Sequence, residues 1–425
     1  MRMAIVLGGR HGTAFGSILT SCLLWTTLVA GAAQAQTYTV LHNFTGGGDG
    51  ATPMSGVTLD RGGNLYGTAT YGGNVGGNCG AGGCGVVYRL ANHNSNWVLT
   101  PLYSFLGGSD GMNPQRGSVV FGPDGSLYST TFAGGGSCNG SNEGCGTVFK
   151  LQPPATACQS VSCPWRETIL HSFDGAGGSG PLGAVVFDQQ GNVDGATNSG
   201  GFHNGGTVFQ LDASGGYMED IIFHPYGYPG SSVSMDRERN LYGSTFIGMD
   251  GPGTIFELTP SGSDWTSTEL HTFTGGSDGA YPLAGVILDT AGNLYGATTA
   301  GGVGQGGTVF ELSPSNGGWS YSLLYSFAHP GNGLLTVGPV GNLALDAAGN
   351  LYGTTLSDGA YGYGAVFKLT HSGQGWTYTP LHDFTNGVDG GVPFSGLVLD
   401  TSGTLYGTAS TGGAFGRGVV FQIVP

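Results

Sequence analysis

The chain has 425 residues, of which 87 are glycine and only 9% are charged, while hydrophobic residues reach 39% and aromatics 11%. That apolar share excludes a disordered glycine-rich tract, so the glycines punctuate an ordered fold at turns needing positive φ. With 11 basic against 26 acidic side chains and a net charge of −15, the chain cannot neutralise phosphates, which excludes nucleic acid as a partner.

Residues 1–35 read as a secretory signal peptide. Arg2 and Arg10 form a positive start, Ile18 to Ala30 is apolar, and Ala33-Gln34-Ala35 is a small-x-small cleavage site. Leu19-Thr20-Ser21-Cys22 resembles a lipoprotein box, but most of the apolar run follows Cys22, so lipidation is not expected. No later run is long enough to span a bilayer. Without Arg2 and Arg10, nine basic and 26 acidic side chains remain, a net charge of −17. Solubility outside the cell is the simplest reading of that charge, although it also makes a cationic ligand or calcium easier to accommodate. Six cysteines follow the leader as near-neighbour pairs: Cys79 with Cys84, Cys138 with Cys145, and Cys158 with Cys163. An even count in an exported chain predicts three local disulfides. Zinc is the competing reading, and histidines do not accompany the pairs at ligand spacing.

From residue 37 onward the chain is a tandem repeat. Leu65-Tyr66-Gly67 recurs at Leu127-Tyr128-Ser129, Val193-Asp194-Gly195, Leu241-Tyr242-Gly243, Leu294-Tyr295-Gly296, Leu351-Tyr352-Gly353 and Leu405-Tyr406-Gly407. Seven copies at this spacing match propeller blades rather than helical repeats. In each copy strand A follows a proline (Pro53, Pro114, Pro181, Pro229, Pro282, Pro339 or Pro393) and is predicted over stretches such as Val286 to Asp289. A tight hairpin leads into strand B, the Leu-Tyr-Gly segment. A Gly-Gly loop then precedes strand C, which reads Gly-x-[Val/Ile]-[Phe/Tyr]. Strand D begins at Trp97, Trp165, Tyr217, Trp265, Trp319 and Trp376, which leaves the seventh copy without one. Tyr38 to Phe44 supplies it. The prediction is an all-β, seven-bladed propeller of four antiparallel strands per blade, one domain over 36–425, closed by its N-terminal strand.

The pattern Asn-Leu-Tyr-Gly-Thr-Thr, Gly-Gly, Gly-Thr-Val-Phe-x-Leu resembles the GloVer-type, or choice-of-anchor, tandem repeat of secreted bacterial proteins, over residues 37–425. The resemblance implies a secreted repeat protein with no settled catalytic activity. No sorting tail follows Pro425, so release rather than surface anchoring is expected.

Propeller topology puts D–A and B–C loops on one face, the usual ligand face, and A–B and C–D loops on the other. The pairs Cys79–Cys84 and Cys138–Cys145 fall in lengthened B–C loops of blades 1 and 2, whereas Cys158 and Cys163 fall in a C–D loop on the opposite face. Asp49, Asp110, Asp278 and Asp389 recur in the D–A loops, each in Asp-Gly-x-x-Pro. They form either an anionic or calcium-holding rim or, as preferred here, hydrogen bonds within their own turns. The hairpin acids Asp60, Asp188, Asp236, Asp289, Asp346 and Asp400 read as turn residues. Departures from the repeat are the better ligand candidates. Arg116 stands where other copies have Ser55, Ala284 or Ser395. Asp194 replaces a strand-B tyrosine, where a charge is costly without a partner. His203, Asp250, Asp358 and Arg417 decorate B–C loops beside Tyr71, Phe132, Phe202, Tyr361 and Phe415. No cofactor is called for, and a monomer is expected. The favoured function is an extracellular binding module for a glycan or surface protein, its ligand over the channel mouth toward blades 1–3. The alternative is a polysaccharide lyase or hydrolase using Arg116, His203 and nearby acids.

Overall fold

The structure, a computed structural model, describes residues 36–425 except 95, 139–143, 155–164, 249–250, 263, 329–337 and 374. The leader and Asp250 therefore lie outside the described residues. So do Cys158 and Cys163, and the third expected disulfide is not among the bridges described. Seven antiparallel sheets follow one another along the chain. In blade 5, strands A to D are Ile287–Leu288, Leu294–Thr298, Gln305–Ser315 and Gly318–Ala328, hydrogen-bonded in that order. Blade 7 takes Val398–Leu399, Leu405–Ala409 and Val419–Val424 from the end of the chain and Thr37–Asn43 from its start. Asn43 faces Val419 and Tyr38 faces Ile423. The result is a closed seven-bladed β-propeller, as the missing seventh strand D requires. Among the described residues the only helical turn is Gly77–Cys79.

Two details differ from the sequence expectation. Strand A pairs over only two residues, because the segment before it lines the axis where neighbouring blades crowd together. A Cβ on Gly341 would lie 2.2 Å from the Gly396 nitrogen, and one on Gly285 would lie 2.5 Å from the Ser232 carbonyl oxygen. Blade 3 also gains a short strand, Ser179–Pro181, paired with the far end of its strand B.

Strand B explains the repeated tripeptide. All five residues of Leu65–Ala69 are buried, and Gly67 lies opposite Tyr88 of strand C. The strand-C ring covers that glycine so closely that a Cβ would meet Tyr88 Oη at 2.5 Å, or Phe310 Cζ at 2.5 Å in blade 5. The tyrosine hydroxyls of Tyr66, Tyr242, Tyr295, Tyr352 and Tyr406 donate to the hairpin aspartate six residues earlier, at 3.0–3.3 Å. The aspartate's other oxygen accepts backbone N–H groups, Gly62 and Asn64 on Asp60 at 2.8 Å each. The glycine that opens strand C is matched to the proline of the next blade. Gly418 has φ +95°, and a Cβ there would lie 2.5 Å from Pro53 Cδ.

One hydrophobic cluster fills each blade junction. Between blades 2 and 3, for example, Tyr128, Val148 and Phe173 pack on Val185, Val193, Phe209 and Leu211. Aromatic steps tie several junctions further: Tyr321 stacks on His271 at 4.4 Å, Tyr378 on Tyr325 at 4.8 Å and Tyr38 on His382 at 3.8 Å. Such pairs each contribute about 0.5–1.5 kcal/mol beyond area burial.

Candidate functional site

The antiparallel order of every blade places D–A and B–C loops together on one face. On this face the disulfides Cys79–Cys84 and Cys138–Cys145, with Cα separations of 4.8 and 5.1 Å, staple the lengthened B–C loops of blades 1 and 2. Cys84 and Cys145 are fully buried, so each bridge anchors its loop to the blade beneath it.

The D–A aspartates sit at four separate junctions, each spent on its own loop. Asp49 accepts from the Thr45 amide at 2.9 Å and from the Thr45 hydroxyl, and lies 3.1 Å from His42 Nε2. Asp278 and Asp389 repeat this with Thr274/His271 and Thr385/His382, while Asp110 accepts from Tyr103 Oη and the Leu106 amide. Burial pushes the Asp49 carboxyl up, but the Thr45 and His42 bonds outweigh it and hold the group below the usual range. Burial pushes the facing His42 down. Among the described residues no group of three His, Cys, Asp or Glu side chains could hold a metal ion.

The departures from the repeat occupy different surroundings. Asp194 is fully buried, accepts from Gln210 Nε2 at 2.7 Å, and has no partner for its second oxygen. Burial pushes its carboxyl up to about 7, the neighbouring Asp188 adding to this and Gln210 and Arg239 opposing it. Without a strand-B tyrosine in this blade, Asp188 instead pairs with Arg239 of blade 4 at 3.0 Å. His203 is exposed, its ring 4.5 Å from Tyr226 and 4.7 Å from Phe202. Asp358 is partly buried, and burial, then Asp383, pushes it up. Tyr361 stands exposed in the same loop. Arg417 is exposed and lies across Gly46, its carbonyl accepting from the Thr52 amide at 2.8 Å. Arg116 lines the axial channel, its guanidinium 5.4 Å from the centre of the Phe394 ring, and burial pulls it below its usual value. Arg116, Asp194 and His203 thus share no contact and no cavity.

Several participants are not apparent from the sequence. Glu167 and Glu219 take the strand-D position held by Tyr321, Tyr378 and Tyr38 in other blades. Each has a buried oxygen without a partner. Burial raises both to about 7, helped by Asp110 for Glu167 and by Asp174 and Asp220 for Glu219. Aligning the strand-D segments would have exposed this acidic pair. On the opposite face a broad hollow of about 1000 Å³ lies among the A–B hairpins of blades 4 to 6. Three of its four acids, Asp236, Asp289 and Asp346, are already bonded within their turns.

Ring closure, blade chemistry and loop placement together define a seven-bladed propeller assembled from one repeated unit. The chain belongs to the Gloeobacter/Verrucomicrobia repeat family, whose family model matches residues 137–337 and 320–425. A search of curated proteins by sequence gives no match. Among solved structures the chain is similar to a gluconolactonase from Xanthomonas campestris, at 12% identity and TM-score 0.39 over 71% of this chain and 91% of that one. It is also similar to a proposed oxidoreductase (glucose dehydrogenase) from Thermus thermophilus, at 11% identity and TM-score 0.44 over 92% and 100%. A proposed gluconolactonase matches at 15% identity and TM-score 0.40 over 72% and 87%. These values are too low to transfer an activity.

Proposed function

We propose that this chain is an exported, non-catalytic binding module that holds a glycan across its D–A/B–C face. One observation carries the reading. Of the 18 exposed large hydrophobic side chains among the described residues, 13 belong to D–A or B–C loops, among them Phe202 (82% exposed), Tyr361 (61%) and Phe415 (59%). They are spread around the ring rather than confined to blades 1–3. Rigid aromatic faces interspersed with polar groups suit the apolar faces and hydroxyls of a sugar. A 1–35 leader and a single 36–425 propeller belong to this reading, supported by the two loop disulfides, which suit an oxidising compartment. The separation of Arg116, Asp194 and His203 speaks against their acting as one catalytic group.

A glycan array followed by calorimetry tests the proposal. Phe202→Ala and Tyr361→Ala should each weaken binding by about two- to tenfold, given roughly 0.5–1.5 kcal/mol per stacked ring. Arg237→Ala, in the opposite hollow, should leave it unchanged. Turnover of any bound glycan, or equal weakening by Arg237→Ala, would overturn the reading.

A further inference from the structure

Blade 2 carries one residue more than the other copies between its proline and strand A. Pro114 precedes Val120 by six positions, whereas Pro53 precedes Thr58, and Pro393 precedes Val398, by five. The extra residue is taken up in a three-residue turn, with the Gly117 amide donating to the Gln115 carbonyl at 2.5 Å. Arg116 sits at the apex with φ +52°, a conformation that side chains with a Cβ rarely adopt. This turn aims the guanidinium into the channel toward Phe394 of blade 7.

The surrounding cavity holds about 260 Å³, and Arg116 is the only charged residue lining it. Among the described residues no carboxylate or other hydrogen-bond acceptor meets this guanidinium. Ser118 and Ser231, which also line the cavity, have no hydrogen-bond partner among the described residues, and Asn342 spends its Oδ1 on the Gly285 amide at 2.9 Å. A strained, half-desolvated cation without a counter-ion is unfavourable by itself. Its five donors in a planar fork match a carboxylate.

We infer that the axial channel binds a sugar acid, with Arg116 clasping its single carboxylate and Ser118, Ser231 and Asn342 meeting its hydroxyls. One arginine balances one negative charge, and the net charge of −15 disfavours a polyanion at the same mouth. The volume equals that of roughly nine waters, enough for one pyranose ring. The inference rests on the D–A/B–C face being the ligand-receiving one, and it adds the chemistry of the ligand's charged end.

Calorimetry of the mature protein with D-glucuronate, D-glucose and an oligoglucuronate provides the test. Glucuronate should bind one to one, glucose at least tenfold more weakly, and Arg116→Gln should weaken glucuronate roughly 10- to 100-fold, the range for hydrogen bonds to a charged group. Arg116→Gly should abolish binding yet raise the Tm of the ligand-free protein, because glycine accepts the turn without strain. That rise separates lost recognition from lost folding. If only glucuronate shows the arginine dependence, the natural ligand is a free acid. If the oligomer shows it as well, the ligand is a glycan terminus. No glucuronate binding, or equal binding by Arg116→Gln, overturns the inference. Phe202→Ala should leave glucuronate affinity untouched, so failure here is distinct from failure of the loop-surface reading.

Discussion

Asp194 shows what a single departure does inside a repeat. Six copies place a tyrosine at this position, and five of the hydroxyls donate to the hairpin aspartate six residues earlier. The shorter carboxyl cannot bridge that gap, so Gln210 satisfies one oxygen and Arg239 crosses from the next blade to take the tyrosine's place on Asp188. The other oxygen is left dry and unpaired, and burial raises the group to about 7. Because the folded chain holds this proton more tightly than the unfolded chain, the associated stability is full below the ordinary carboxylate range and is lost as pH rises toward 7. Asp194→Asn keeps the Gln210 contact and removes the charge. Urea titrations should show it indistinguishable from the parent at pH 4 and more stable at pH 8, by about 2–4 kcal/mol. Equal effects at both pH values would mean that the carboxyl stays ionised in the fold.

At the scale of the element, the recurring Gly and Pro form a joint between blades. Gly418 needs its left-handed backbone, and any Cβ there would also strike Pro53. Gly403, in the hairpin, has φ +85° but open space around it. Gly418→Ala should therefore cost about 2–4 kcal/mol, strain plus overpacking, and Gly403→Ala only about 1 kcal/mol. Chemical denaturation of the two variants distinguishes them, and similar costs would show that the joint can relax. The same comparison explains what the sequence makes legible. Strand order is stated seven times and the role of the hairpin acids six, because both follow from local sterics that the blades share, while closure is read from the one copy that lacks a strand D. The γ-turn at Arg116 is stated once and reads in the chain as a substitution. Only the distance from Pro114 to the paired residues of strand A shows it to be an insertion. Phe394 is hidden for another reason: it meets Arg116 across the axis, and nothing in the sequence spacing brings blades 2 and 7 together. The acidic exchanges at Glu167 and Glu219 are visible as letters, but their raised affinity for protons comes from burial at a junction.

For the molecule as a whole, stability depends on one strand. Thr37–Asn43 covers the edge of Val419–Val424, and Tyr38 stacks on His382 while its hydroxyl donates to the Asp389 carbonyl. Deleting residues 36–44 should leave a bare strand edge, lower the Tm and drive self-association visible by size-exclusion chromatography. A peptide spanning 37–44, added in trans, should reverse both effects by strand addition. An unchanged, monomeric deletion variant would show that closure is dispensable. Closure also has a consequence for synthesis. Asn43 and its partner Val419 are 376 positions apart, so the first strand made waits, unpaired, for the last. A nascent chain interrupted in any blade presents two open edges to chaperones and proteases, and only a chain extended through Val419–Val424 hides both. The ring therefore acts as its own check on translation: arrival of the closing strand, rather than the quality of any one blade, decides when the product ceases to look unfolded.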